Sequence, residues 1–132
     1  MDITKGWTMK KGFSLVEIMV ALVILSILAS IMFAGFNKAK LKGEKNQAII
    51  TLRAIRISEK MYYAKWRSFV PSANSAAIKV NLDVETPVRG ATFAVNAGAT
   101  TFSAAVTDAS GKTLTLDQDG NWGGTNTPLP ND

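Results

Sequence analysis

Hydrophobic residues follow three different patterns along this chain. From Phe13 to Phe36 nearly every position is apolar, and Glu17 is the single charge. These 24 residues, at about 1.5 Å rise each, make roughly 36 Å of helix, enough to cross the hydrocarbon core of a bilayer. From residue 37 to 66 the apolar positions thin into a helical stripe. Leu41, Ala48, Leu52, Ile55, Tyr62 and Trp66 recur at threes, fours and sevens, widened by Ile50, Ile57 and Met61. No proline interrupts the chain before Pro71, so one helix is expected from about Ser14 to Trp66. Gly43 is its weakest point, where it could bend or fray. Beyond Pro71 the pattern alternates with period two. Strands are expected at 78–82, 92–95, 101–106 and 113–116. Turn residues separate them: Pro87 to Gly90, Ala97-Gly98, Asp108 to Gly111 and Asp119-Gly120.

These patterns define an α+β chain: a long N-terminal helix, half membrane and half amphipathic, packed on a small antiparallel sheet. Its segments are residues 1–12, an apolar helix at 13–36, an amphipathic continuation at 37–70 and a sheet domain at 71–132. The sheet would turn Phe93, Val95, Phe102, Leu114 and Leu116 toward the helical stripe. The end of the chain from Gly123, rich in Gly, Thr, Asn and Pro, reads as loose. A secretory signal peptide is the rival reading of the apolar run. It would have a shorter core followed by a small-residue cleavage site. Ala29-Ser30-Ile31 is a poor site and the run continues past it, which favours a retained membrane helix. Lysines flank both ends, so charge casts no firm vote on orientation.

Composition narrows the function. The chain has 132 residues, no cysteine and no histidine. Disulfides, thiolate metal sites and cysteine nucleophiles are excluded, and the commonest general base is missing. No nucleophile, base and metal constellation stands out, so an enzyme is not expected. The net charge of +5 is unevenly placed. Residues 37–67 hold nine basic side chains against Glu44 and Glu59, whereas from residue 68 onward three basic side chains face six acidic ones. The basic middle reads as a solvated helix face or a seam meeting acidic neighbours, ahead of a nucleic-acid surface. Lys38 to Lys45 would meet acidic surfaces of neighbouring subunits, or lipid headgroups.

The stretch Lys10-Lys11-Gly12-Phe13-Ser14-Leu15-Val16-Glu17 resembles the N-terminus of type IV pilins, a family that includes the pseudopilins of type II secretion. The resemblance is strong over about the first 70 residues. The ending from Leu114 to Trp122 is similar in style to the last strand and turn of many such subunits. It implies a leader at 1–12, a cut by a membrane-embedded prepilin peptidase between Gly12 and Phe13, and N-methylation of the new terminal Phe13. Glu17 then becomes the fifth residue of the mature chain. A carboxylate inside a bilayer is costly without a partner or a proton. The family pairs this Glu with the N-terminal amine of a neighbouring subunit, which here means Glu17 with Phe13, setting axial register. The bland alternative is a Glu that simply reaches the membrane interface.

The resemblance further implies a homo-oligomeric helical filament, driven by an inner-membrane assembly platform and its ATPase. The precursor would lie in the bacterial inner membrane and the product at the cell surface, serving adhesion, motility or DNA uptake. A periplasmic pseudopilus for secretion is the alternative. A monomeric single-pass protein with a small binding module is the third. The family's helix-breaking proline is missing near Ala34, where Gly35 is the flexible residue. A C-terminal disulfide is also missing, so the sheet must hold by packing or another clamp. Met9 is an alternative start, giving Met-Lys-Lys-Gly.

Two further clusters carry candidate chemistry. Asp117, Asp119 and Asn121 alternate around the turn at Gly120, as oxygen ligands for calcium would, although an ordinary hairpin turn explains them as well. No other cofactor is expected. Tyr62, Tyr63, Trp66 and Phe69 form an aromatic cluster where helix meets domain, best read as packing beneath the sheet.

Overall fold

The structure, a computed structural model, describes residues 12–125. Residues 1–11, which hold most of the expected leader and the alternative start at Met9, and residues 126–132 of the C-terminal tail lie outside the described residues. The chain divides into two units, one ending at Lys40 and one beginning at Leu41.

Helix α1 spans Leu15–Trp66 without interruption, so neither Gly35 nor Gly43 breaks it. Ser14 precedes it and Glu17 lies in its first turn. Ser-x-x-Glu is the spacing of a capping box, in which the Glu reaches back to a free backbone N–H at the helix start. The described side chains of residues 12–40 are exposed, and the helix holds an apolar window of mean hydropathy 2.7 that meets the length and composition of a membrane span. The two hydroxyls in this stretch are closed internally. Ser26 Oγ donates to the Val23 carbonyl and Ser30 Oγ to the Ser26 carbonyl, both at 2.8 Å. Neither then presents an unpaired donor to an apolar solvent.

In the second unit, four strands follow: β1 (Thr92–Ala97), β2 (Phe102–Thr107), β3 (Thr113–Asp117) and β4 (Trp122–Gly124). They form one antiparallel meander in the order β1-β2-β3-β4. Phe93 stands opposite Val106, Val95 opposite Ala104, and Leu114 opposite Val106. The period-two pattern therefore places Phe93, Val95, Phe102, Ala104, Val106, Leu114 and Leu116 on one buried face. They share a hydrophobic core with Ala48, Leu52 and Ile55 of α1 and with Phe69, Ile78, Leu82 and Val84. The expected α+β architecture and the expected inward face of the sheet are both present.

Three expectations are corrected. Residues 78–82 are not a strand. They belong to α2 (Ser75–Leu82), whose N-cap Asn74 accepts the Ala77 N–H at 2.9 Å. Its C-cap Asp83 has φ 52° and donates its N–H to the Lys79 carbonyl. The apparent alternation hid an i, i+4 pair: Ile78 and Leu82 are buried while Val80 is 83% exposed. The end from Gly123 is not loose at its start, because β4 pairs Gly123 with Thr115 and Gly124 with Leu114. Gly124 has φ 110°, and a Cβ there would collide with the Thr113 carbonyl, so only glycine closes this edge.

The helical stripe is also narrower than expected. Leu41, Ile50, Ile57, Met61 and Trp66 are exposed, and the buried arc is Ala48, Thr51, Leu52, Ile55 and Glu59. At about 100° per residue, Ile50, Ile57 and Met61 fall on the opposite side of the helix from Ile55 and Glu59. Leu41 and Trp66 have the right phase but no sheet residue covers them.

Candidate functional site

The candidate processing site lies ahead of the helix, outside any helix or strand. Gly12, Phe13 and Ser14 precede the helix and are exposed, Phe13 at 79%. Among the described residues, and apart from its chain neighbours, no atom lies within 4 Å of the place where a Cβ on Gly12 would sit. The peptide bond between Gly12 and Phe13 thus stands clear of secondary structure, as a peptidase needs. Helical hydrogen bonding begins immediately after it, with Ile18 N–H donating to the Ser14 carbonyl at 3.2 Å. Glu17 Oε2 accepts the Ser14 N–H at 3.4 Å. A carboxylate here also faces the positive end of the helix dipole. Phe13 and Glu17 are thus four residues apart across the helix start, with Gly12 directly before them. The capping contact gives Glu17 a local role that the sequence reading left out, although Ser14-x-x-Glu17 was there to be read.

The turn between β3 and β4 is organised around Asp117. Its Oδ1 accepts the backbone N–H groups of Asp119, Gly120 and Asn121, each at 2.9 Å, and its Oδ2 accepts Asn121 Nδ2 at 3.0 Å. Asp119 Oδ2 accepts Gln118 Nε2 at 3.0 Å. Asp117 and Asn121 are thus joined to each other, and Asp119 points its acceptor elsewhere. The Asn121 side chain and the turn's N–H groups hold the Asp117 carboxyl below its ordinary pKa. Among the described residues no cluster of three or more acidic ligands exists. This arrangement is an Asx-type turn, and calcium would have to displace donors already bound to Asp117. Asp117→Ala is expected to lower stability by about 1 kcal/mol through lost turn hydrogen bonds. In the native protein this contribution is present above the ordinary carboxylate pKa and is lost as pH falls through the depressed folded value. Calcium at millimolar concentration is expected to leave the Tm unchanged. A calcium-dependent rise of several degrees, absent in Asp117→Ala, would reverse this reading.

The aromatic cluster divides in two. Tyr63 stacks on Phe69 with ring centroids 4.6 Å apart, and Phe69 meets Phe102 at 4.8 Å, continuing the core to the sheet. Tyr62 and Trp66 lie 6.3 Å apart, and Trp66 is 60% exposed, outside that core.

One buried charge was missed by the sequence reading. Glu59 has no exposed surface, and its Oε2 accepts the Val70 N–H at 3.1 Å. Its Oε1 has no partner among the described residues. Burial pushes its pKa up, opposed in part by the Val70 N–H. The signal was its place four residues along from Ile55 and seven from Leu52 on the core arc, which a tally of apolar positions passes over.

Comparison with known proteins bears on the N-terminal segment. Residues 7–33 match the family model of the prokaryotic N-terminal methylation motif. This motif is the cleavage signal of type IV pilin and pseudopilin precursors, and the chain carries it. No curated protein and no solved structure matches the chain. Motif and apolar helix together fit a membrane-anchored precursor of the type IV pilin-like or pseudopilin class.

Proposed function

We infer that this chain is the structural subunit of a type IV pilus-like filament, cut by prepilin peptidase between Gly12 and Phe13 and assembled from the inner membrane by bundling of its apolar helices. It is not an enzyme in this reading. The observation that carries it is the placement of an exposed Gly12–Phe13 bond directly ahead of the apolar helix, inside the methylation motif. A cut there frees an amino group at Phe13 within one turn of Glu17. In a growing filament that amine is available to the Glu17 of a neighbouring copy, and a paired charge can leave the membrane interface at lower cost than a lone one. Among the described residues, twenty-two large apolar side chains are exposed, most of them between Phe13 and Phe36. Such a surface requires lipid before assembly and neighbouring copies after it.

The test is mass spectrometry of the N-terminal peptide in material sheared from cells and in the membrane pellet. A peptide beginning at N-methylated Phe13, abundant in the sheared fraction, is the expected result. The processed form confined to the pellet would move the reading to a pseudopilin or a minor subunit. Chains all starting at Met1 or Met9 would overturn it in favour of a plain membrane anchor.

A further inference from the structure

The second unit has a cleft at its β4 edge, of about 340 Å³, lined by Arg53, Arg56, Ile57, Leu116, Gly120 and Trp122. Two guanidinium groups one helical turn apart border it. Each is held by a contact that leaves donors free. The Arg53 guanidinium carbon lies 5.8 Å from the Trp122 ring centroid, a cation–π contact through its face. Arg56 donates its Nε to the Gln118 carbonyl at 3.3 Å. Its terminal nitrogens rest against Gly120, where a Cβ would lie 2.9 Å from Nη2. The glycine, at φ 97°, thus makes room for the guanidinium. Neither arginine pairs with a carboxylate among the described residues. Two oriented forks over an apolar floor match a carboxylate, because an oxyanion can accept parallel N–H bonds from each.

The chain carries the complementary group at the other side of its sheet. Asp83 and Glu85 are 89% and 75% exposed at their side chains and share one cation, Lys79, at 2.7 and 2.9 Å. Two carboxylates and one ammonium leave this corner net negative. It follows α2, which contacts β1, and the strand order places β1 and β4 at opposite edges. Cleft and acidic corner therefore belong to opposite edges of one sheet and are suited to different copies.

We propose that the Arg53–Arg56 cleft seats the Asp83–Glu85 corner of a neighbouring copy, joining subunits head to tail. The proposal rests on the filament reading above and names the contact its second units make. A contact between two unlike surfaces can repeat from copy to copy, and where its rotation does not close into a ring it produces an open filament. Nucleic acid would also suit two arginines and a tryptophan. The second copy is favoured because this chain itself bears the matching acid at the opposite edge.

The test uses the full chain in cells that assemble the filament. Arg53→Glu with Arg56→Glu, and separately Asp83→Lys with Glu85→Lys, are each expected to cut the sheared filament at least tenfold. Chain processed at Phe13 should still accumulate in the membrane. Combining all four changes is expected to restore filaments, which a misfolded variant cannot do. Because the chain has no cysteine, Ile57→Cys with Glu85→Cys supplies an independent readout: a ladder of disulfide-linked multimers, with no ladder from either single change. Unchanged filament yield in both charge-reversed pairs, or no rescue together with no ladder, overturns the proposal while leaving the filament reading standing. Normal assembly with loss of retention on immobilised DNA would show that the cleft serves a polyanion and also overturns it. If the unaltered chain gives no processed protein in the sheared fraction, the filament reading fails first and takes this contact with it.

Discussion

Phe93→Ala is expected to cost about 3–5 kcal/mol, the range for removing a large aromatic from a packed core. Phe93 has no exposed surface and is the largest fully buried side chain among the described residues. It lies on the inward face of β1, opposite Val106 of β2. The core it belongs to is small, with 14 buried apolar residues among those described, drawn from α1, α2, the sheet and the connecting segments. No disulfide supports it, because the chain has no cysteine. A domain of this size has only about 5–15 kcal/mol of net stability, so one aromatic is a large share. The measurement is urea unfolding of the full chain in detergent micelles, followed by tryptophan fluorescence. The midpoint should fall steeply with little change in slope. A loss under about 1 kcal/mol would show that the cavity collapses freely, and that helix and sheet are held together by something other than this core.

Glu59 gives the second large effect, and the choice of substitution decides its sign. Its burial raises the folded pKa above the ordinary value of 4.5. Below that ordinary value the group is protonated in both states, and its contribution to stability is fully present. As pH rises through the window up to the folded pKa, the unfolded chain releases its proton first. Stability therefore falls across that window and levels off above it. Glu59→Gln retains an oxygen for the Val70 N–H and cannot titrate. It is expected to raise the Tm at neutral pH relative to the native chain, with the two converging toward pH 4. Glu59→Ala instead strands the Val70 N–H and opens a small void, costing about 1–3 kcal/mol. Melting curves of the three proteins between pH 4 and 8 test this. Asp108 and Asp117 have depressed pKa values and act in the opposite direction, but they are common to all three proteins and cancel in the comparison. Parallel pH curves for the native chain and Glu59→Gln would mean that Glu59 is not buried as a charge in the folded state.

These two residues also show how unequally the sequence discloses the fold. Phe93 was legible because a strand has a period of two and any apolar residue in phase must face the core. Glu59 was not, since a tally of apolar positions cannot see a carboxylate on the inward arc. The processing segment was the most legible part. Gly12, Phe13 and Glu17 are neighbours along the chain, so their proximity needs no folding beyond one helical turn. The Asp117 turn was half legible. Its residues marked a turn, but only the direction of each oxygen shows that Asp117 accepts the turn's own N–H groups.

The sequence by itself determined the features that depend on local order. These are the long α1, the apolar length that suits a bilayer, the methylation motif and three of the four strands. Each arises from interactions within a few residues: helical propensity without proline, unbroken apolarity, and alternation between turns. Tertiary structure decided the rest, because those outcomes depend on what lies across the core. Residues 78–82 became helical once Asn74 capped them and both Ile78 and Leu82 found the core. Trp122–Gly124 became a strand because β3 presented a free edge. The stripe on α1 narrowed because the sheet covers only one arc of it. Arg53 and Arg56 met Trp122 and Gly120 across more than sixty residues of intervening chain, a juxtaposition set by the order of the strands and by no local rule.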